Sequence, residues 1–414
     1  MNLQLTAPQQ PISAGIALPQ SKSITARALI IAALCGGTPQ VIRPALCDDT
    51  DAIIQALSRD GGTVNVGPAG TAMRFLTAYF ATRPGVTVTL DGNVRMRQRP
   101  IAPLVEALRL MGACIEYLGK DGCPPLRITG TVLHGSDIEM DASVSSQFVS
   151  AAMMIMPAIE GGTLRLKGDI VSMPYISMTA AVMSEMGADV NINDGKIAIG
   201  NRYGGGDITV EADWSAAAPW YALACLLPQS RFTLEGLAPG SIQGDAQLAK
   251  LAARLGIATR FTPQGAVLDN SRFIDCCCSS FADMTGTPDL AMSWAVLLCL
   301  LERSFRMTGV RTLRHKESDR IEALREGLER LGYVLKIEGT DAISWYGERC
   351  VITREPPVID THGDHRIAMA FAPAAVRHPG LVIAGADVVS KSYPAFWRQL
   401  EAAGFTVNNP QVEH

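Results

Sequence analysis

Two kinds of helical pattern alternate along the chain. Six stretches, roughly 24–34, 72–82, 146–158, 215–227, 289–302 and 365–377, are apolar on nearly every face and rich in small residues. A helix without a polar face must be buried on all sides. Between them lie amphipathic helical patterns that end in an apolar residue, then Gly, then a strand: Met111-Gly112-Ala113, Met186-Gly187-Ala188, Leu255-Gly256-Ile257, Leu331-Gly332-Tyr333 and Ala403-Gly404-Phe405. Glycine there suits the left-handed residue that closes a helix. Successive glycines of this set are 75, 69, 76 and 72 residues apart. With strands such as Lys196-Ile197-Ala198-Ile199 following, the pattern predicts a strand-and-helix unit of about 70 residues, repeated six times. Gly61, in Asp60-Gly61-Gly62, lies only 51 residues before Gly112, so the first unit reads as short by a strand or two. The fold class is α/β or α+β, and an all-helical solenoid is excluded.

Six such units exceed one hydrophobic core, and two domains of three units fit 414 residues. The Pro/Gly break Leu237-Ala238-Pro239-Gly240-Ser241 predicts the seam. Residues 1–19 hold two strand-like runs that could join either half. Composition supports large cores: 48% of residues are hydrophobic and 18% charged, with so few aromatics (6%) that Ala, Leu, Ile, Val and Met must fill them. The net charge of −4 argues against nucleic acid as the main partner. The longest apolar runs, Trp294 to Leu301 and Ala151 to Ile159, are half of a membrane span. No basic segment followed by an apolar one opens the chain, so a cytoplasmic protein without signal peptide is expected. The ten cysteines, three of them consecutive at 276–278, include no Cys-x-x-Cys pair and read as reduced, mostly buried thiols without zinc.

The candidate chemistry lies at the starts of the six buried helices. A helix N-terminus offers free N–H groups and about half a positive charge, so it attracts anions. The residues there are Ser21-Lys22-Ser23, Gly70-Thr71, Ser145-Ser146-Gln147, Asp213-Trp214-Ser215, Pro288-Asp289 and Gly363-Asp364-His365-Arg366. Simple capping explains Asp213 and Ser215. It does not explain Lys22 or Arg366, since a cation there opposes the helix dipole unless an anion sits between. Arg95-Met96-Arg97-Gln98-Arg99 places three arginines before a helix expected to begin at Pro100, with a solvated surface the plain reading of Arg95 and Arg97. His315-Lys316-Glu317-Ser318-Asp319-Arg320 reads as the opening of another helix, with Lys316 and Arg320 four apart on one face and Glu317 beside them. Lys22 is in no Walker A loop, and Gly204-Gly205-Gly206 lacks a dinucleotide-site context. His362 and His365 lack a third ligand cluster, so no metal is expected.

In chain order, Ser21-Lys22-Ser23, Ala69-Gly70-Thr71-Ala72-Met73-Arg74, Arg95-Met96-x-x-Arg99-Pro100-Ile101, Val144-Ser145-Ser146-Gln147-Phe148, Lys316-Glu317-Ser318-Asp319-Arg320 and Asp364-His365-Arg366-Ile367-Ala368-Met369 closely resemble the EPSP synthase (5-enolpyruvylshikimate-3-phosphate synthase) family, from about residue 13 to 405. The resemblance implies the enolpyruvyl transferase fold, an inside-out α/β barrel of two similar domains, each of three βαβαββ units. It implies one domain from residues 1–19 with 240–414, another from residues 20–239, and an active site in the cleft between them. It implies transfer of the enolpyruvyl group of phosphoenolpyruvate to the 5-hydroxyl of shikimate 3-phosphate by addition and elimination, a shikimate-pathway step toward chorismate and the aromatic amino acids. No cofactor is implied; a monomer is expected, with the analogue glyphosate as an inhibitor.

Carried over residue by residue, Lys22, Gly70, Thr71, Arg99, Gln147, Arg320, Arg366 and Lys391 would hold phosphoenolpyruvate. Lys22, Ser23, Arg27, Ser145, Ser146, Gln147, Ser172, Tyr175, Asp289 and Lys316 would hold shikimate 3-phosphate. Asp289 would take the 5-hydroxyl proton, and Glu317 with Lys22 would protonate the methylene carbon. Arginine forks match phosphate and carboxylate, and the two acids remain for proton transfer. The cations, on both halves, imply hinge closure when anions arrive. Three departures bear on affinity and on glyphosate sensitivity: Pro68 replaces a common Asn, Thr312 stands where an Asn often holds the shikimate ring, and the first unit is short. A UDP-N-acetylglucosamine enolpyruvyl transferase would share the fold but usually carries a reactive Cys upstream of Arg99, and Leu90 to Gln98 contains none. A non-catalytic anion-binding homologue would be expected to have lost Lys22, Asp289 or Glu317.

Overall fold

The computed structural model describes residues 1–36, 39–135, 137–270 and 280–409. Cys276, Cys277 and Cys278 lie outside them. The chain forms two compact units, one of residues 20–210 and one of residues 1–19 with 211–414.

Each unit repeats one motif. In the unit of residues 20–210, strand Gly62–Asn65 crosses through helix Gly70–Ala81 to the parallel strand Thr87–Asp91. The amphipathic helix Ala102–Leu110 then leads into the hairpin Cys114–Tyr117 and Leu126–Thr129, whose second strand pairs antiparallel with Thr87–Asp91. Strands Asp137–Asp141, Gly162–Lys167, Val190–Asn193 and Lys196–Ile199 repeat this order around helices Ser146–Ile155 and Met173–Glu185. The first repeat is reduced: Val41–Ile42 pairs only with Ile208–Thr209, and helix Asp48–Leu57 runs directly to the next sheet. What the short glycine spacing foretold is therefore a missing hairpin.

The other unit has three complete four-stranded sheets. Residues 1–19 supply strands to two of them. Ser13–Ala17 lies parallel to Arg231–Glu235, and Asn2–Thr6 is inserted between Leu381–Ala384 and Thr406–Asn408. This pairing corrects the expected domain boundary at 239. Strand Arg231–Glu235 is tied to Ser13–Ala17, and helix Trp214–Leu226 packs on Leu290–Leu300, so the boundary falls at Val210. Pro239-Gly240 is a turn within the unit.

In each unit three nearly all-buried helices touch one another at the centre: Lys22–Leu34, Gly70–Ala81 and Ser146–Ile155 in one, Trp214–Leu226, Leu290–Leu300 and His365–Phe371 in the other. Amphipathic helices and sheets surround them, as their one-sided patterns require. The five glycine-ended helices close identically. Gly112, Gly187, Gly256, Gly332 and Gly404 all have positive φ. The next N–H reaches back to the carbonyl five residues earlier in every case: Ala113 to Leu108, Ala188 to Met183, Ile257 to Ala252, Tyr333 to Leu328 and Phe405 to Leu400, at 2.9–3.2 Å. No helix among the described residues is long and apolar enough to cross a membrane. Of the described cysteines, Cys47, Cys123, Cys225 and Cys299 are buried.

Helix Arg320–Arg330 docks on helix His365–Phe371 through Gly327, where an added Cβ would lie 2.4 Å from the Phe371 ring. Gly327→Ala is expected to destabilise the protein by about 1–3 kcal/mol, because the buried ring must move. The urea midpoint at constant m-value measures it; an unchanged midpoint would show that the two helices can separate freely.

Candidate active site

In the unit of residues 1–19 and 211–414, four cations and three acids converge from separate elements. Arg320, with 2% of its side chain exposed, opens helix Arg320–Arg330. Its Nη1 donates to Asp289 Oδ1 at 2.7 Å and its Nη2 to Glu317 Oε2 at 3.0 Å. Its Nε and Nη2 grip both oxygens of Asp364 at 2.7 and 3.1 Å. Asp289 also receives Lys316 Nζ at 3.4 Å and Arg366 Nη2 at 3.2 Å, and Glu317 receives Lys391 Nζ at 3.3 Å. Asp364 is fully buried and caps its helix by accepting from Arg366 N at 2.9 Å. Asp289 precedes helix Leu290–Leu300 but makes no side-chain capping bond, so its carboxylate is committed to the cations.

Burial alone would raise the Asp289 carboxyl's pKa, yet Arg366, Lys316 and Arg320 hold it far below the usual carboxylate range. Burial likewise opposes the charge on Arg320, and Asp364, Glu317 and Asp289 outweigh it, driving its pKa upward. Both groups are therefore fixed as charges at neutral pH.

The segment before Arg320 differs from its expected form. Arg311–His315 is a 3-10 turn and the helix begins at Arg320, because Asp319 caps it by accepting from Ile321 N and Glu322 N at 3.2 Å. Lys316 and Glu317 thus lie in a loop, not one turn below Arg320 on a helix face. They still converge, since Lys316 and Arg320 both reach Asp289 Oδ1. Likewise the helix after Arg99 begins at Ala102, not at Pro100.

The unit of residues 20–210 presents a second cluster. Lys22, the first residue of helix Lys22–Leu34, meets Asp49 Oδ2 at 2.8 Å, and Ser21 caps the helix at Ile24 N, 3.4 Å away. At Gly70 an added Cβ would lie 2.5 Å from Arg99 Nη1, so this guanidinium rests directly against the N-terminus of helix Gly70–Ala81. Two positive ends face each other there, an arrangement suited to an anion. Arg74 fixes the arginine segment by donating to Gly70 O at 3.2 Å and Pro100 O at 2.9 Å. Gln147 Nε2 donates to Thr71 Oγ1 at 3.1 Å, and Ser145 caps helix Ser146–Ile155 at Gln147 N. Ser146 is buried. Ser172 sits in the left-handed region at φ 56°, an uncommon conformation for serine, immediately before helix Met173–Glu185.

Arg27 is only 2% exposed, and the protein engages it heavily. It donates to Ser23 O, Thr179 Oγ1, Ser150 Oγ and Tyr175 O at 2.7–3.3 Å and lies over the Phe75 and Tyr175 rings. Burial pushes its pKa down to about 10, a fall that Tyr175 partly offsets. Arg27 thus organises Ser23 and Tyr175 as much as it offers them company. Arg97 pairs with Asp91 on the surface, as its plain reading held. His362 pairs with Glu326. Pro68 leaves the preceding turn intact, with Ala69 N bonded to Val66 O at 3.0 Å and the helix beginning at Gly70 as expected. The buried Oγ1 of Thr312 has no hydrogen-bond partner. Asp49 and Asp364 were not foreseen as site residues; each sits among residues that read as ordinary caps.

The family model described as EPSP synthase (3-phosphoshikimate 1-carboxyvinyltransferase) matches residues 6–66 and 60–400. This chain belongs to the EPSP synthase family. A 3-phosphoshikimate 1-carboxyvinyltransferase of Bacteroides fragilis (strain YCH46) is 46% identical over 411 residues, spanning 98% of this chain and 99% of its own. One from Syntrophobacter fumaroxidans is 36% identical, spanning 95% and 98%. The fold is that of an EPSP synthase from Acinetobacter baumannii, with a TM-score of 0.74 at 22% identity over 99% of this chain and 100% of that one. The enolpyruvyl transferase NikO from Streptomyces tendae shares it, with a TM-score of 0.73 at 14% identity over 98% of each chain.

A carboxylate with a depressed pKa contributes stability above its unfolded value, about 3.9 for Asp, and loses it as pH falls. Asp289→Asn is therefore expected to cost about 3–5 kcal/mol at pH 8. That cost should stay constant down to about pH 5 and shrink below about pH 4. Urea unfolding across this range checks it; a cost that grew on acidification would reverse the sign assigned to Asp289.

Proposed function

We propose that this chain transfers the enolpyruvyl group of phosphoenolpyruvate to the 5-hydroxyl of shikimate 3-phosphate and releases phosphate. The observation that carries this reading is the concentration of half-buried and buried cations in a chain whose net charge is −4. Both substrates carry a phosphate and a carboxylate, and such groups are what these cations can accept.

In this reading Lys22, Gly70, Thr71, Arg99, Gln147, Arg320, Arg366 and Lys391 hold phosphoenolpyruvate. Lys22, Ser23, Arg27, Ser145, Ser146, Gln147, Ser172, Tyr175, Asp289 and Lys316 hold shikimate 3-phosphate. The 5-hydroxyl oxygen bonds to C2 of phosphoenolpyruvate as Asp289 takes its proton. Glu317, assisted by Lys22, gives a proton to C3, so the methylene becomes a methyl group. Phosphate then leaves C2, a proton leaves C3, and the double bond returns. Each step moves a proton or makes or breaks a C–O bond without redox change, so no redox cofactor is called on. Glu317 suits its role through its position: its carboxyl lies 3.0 Å from Arg320 and 3.3 Å from Lys391, the cations assigned to phosphoenolpyruvate. We further assign the enzyme to the cytoplasm as a monomer, with glyphosate competing for the phosphoenolpyruvate cations.

Purified protein is expected to release phosphate from phosphoenolpyruvate only when shikimate 3-phosphate is present, and not with UDP-N-acetylglucosamine. Lys22→Met should lower kcat at least about 100-fold, the usual scale for losing a positioned proton-transfer group. Binding of both substrates without phosphate release in the unaltered protein would instead identify a non-catalytic homologue.

A further inference from the structure

Ser215 and Asp245 look structural until their side-chain atoms are followed. Helix Trp214–Leu226 is capped by Asp213, which accepts from the backbone N–H of Ser215 at 2.8 Å. The Ser215 hydroxyl is therefore not needed for capping. It donates to Asp245 Oδ2 and accepts from Arg366 Nη2 at 3.2 Å. The same Nη2 reaches Asp289 Oδ2 at 3.2 Å. Asp245 lies in the 3-10 turn Gly244–Ala246 and is 3% exposed, and its Oδ1 is buried without a hydrogen-bond partner. Gln243 fixes that turn: its Oε1 accepts from Trp214 N at 3.1 Å and its Nε2 donates to Ala212 O at 2.8 Å.

A buried carboxylate with one oxygen unbonded costs stability, so packing gives no reason for it. We propose that Asp245 is a positioning residue that orients Arg366 toward phosphoenolpyruvate through the Ser215 hydroxyl. The inference rests on the reading of Arg366 as a phosphoenolpyruvate ligand. When Asp245 is ionised it draws the Ser215 proton to itself, and the lone pairs of Oγ are left to hold Arg366. When Asp245 is protonated that direction is no longer enforced, and Arg366 falls back on Asp289. The charged groups around Asp245 are Arg366, Asp289 and Asp213. Burial, with Asp289 and Asp213 adding to it, pushes the carboxyl up to about 6 against the opposing pull of Arg366 and the Ser215 hydroxyl. The device therefore switches within a testable range.

The test compares KM for phosphoenolpyruvate, at saturating shikimate 3-phosphate, in the unaltered protein, Asp245→Asn, Ser215→Ala and the double variant. Substrate phosphates titrate in the same range, but equally in every protein, so the variant-to-unaltered ratio isolates Asp245. Each single variant is expected to raise KM about tenfold at pH 8, the scale of one hydrogen bond to a charged group, with kcat little changed. The ratio should approach one at pH 5, and the double variant should be no worse than either single one. A ratio of one at pH 8, a ratio independent of pH, or multiplying effects would each overturn the proposal. If one variant fails to fold, the other carries the same prediction. Calorimetric titration of inorganic phosphate at pH 8 reads the relay without turnover: about tenfold weaker binding to either variant supports it, and equal binding overturns it. Weaker phosphate binding in the variants of a protein that shows no turnover would separate failure of the assigned reaction from failure of the relay.

Discussion

A guanidinium with 2% of its side chain exposed must find opposite charge or a full set of acceptors, as Arg27 does, or the fold that buries it loses several kcal/mol. Arg320 is matched by Asp289, Glu317 and Asp364, which stand before one helix, in a loop and at the cap of another. Those pairings settle where the loop of residues 316–319 runs and where two helices begin. They also orient the neighbouring cations, because Lys316 and Arg366 share Asp289 and Lys391 shares Glu317. The acids thus act as internal counter-ions to these cations, and in the proposed reading an anionic substrate would compete with them for the same groups.

The repeated architecture explains how such charge can be assembled at all. Central helices buried on every side admit a polar group along their length only where the protein pairs it, as at Arg27 and Arg74, so most of the candidate chemistry lies at their ends. The sheets and glycine-closed outer helices hold three such ends in each unit. In the unit of residues 20–210, Arg99 against Gly70 and Lys22 against Asp49 repeat the theme of a cation at a helix start. A cation there opposes the helix dipole, a cost that the proposed binding of an anion would offset.

Much of this was legible in the sequence because it is periodic. Six all-apolar helices, five helix-ending glycines and a shortened first unit are statements about spacing, and spacing survives folding. The boundary was not legible: Pro239-Gly240 looks like a linker locally, and only the pairing of Arg231–Glu235 with Ser13–Ala17, over two hundred residues away, assigns it to one unit. The helix before Arg320 was misread because Asp319 is a better cap than the residues preceding Lys316. Asp49 and Asp245 escaped notice, and Asp364 was given no role of its own, for a common reason. Each stands near a helix start, where an acid is unremarkable, and its pairing with Lys22, Arg320 or Ser215 lies 27, 44 or 30 residues away.

The counter-ion account has a consequence that a purely supportive role for the acids does not share. Glu317→Gln keeps the shape of the side chain while removing the charge that holds Arg320 and Lys391. Calorimetric titration of phosphoenolpyruvate into this variant, with shikimate 3-phosphate present, tests the point most directly. Affinity equal to or above that of the unaltered protein, with phosphate release lowered by about 100-fold or more, is the predicted result. Loss of binding together with turnover would contradict it and would make Glu317 a prop for the cations rather than their displaceable partner.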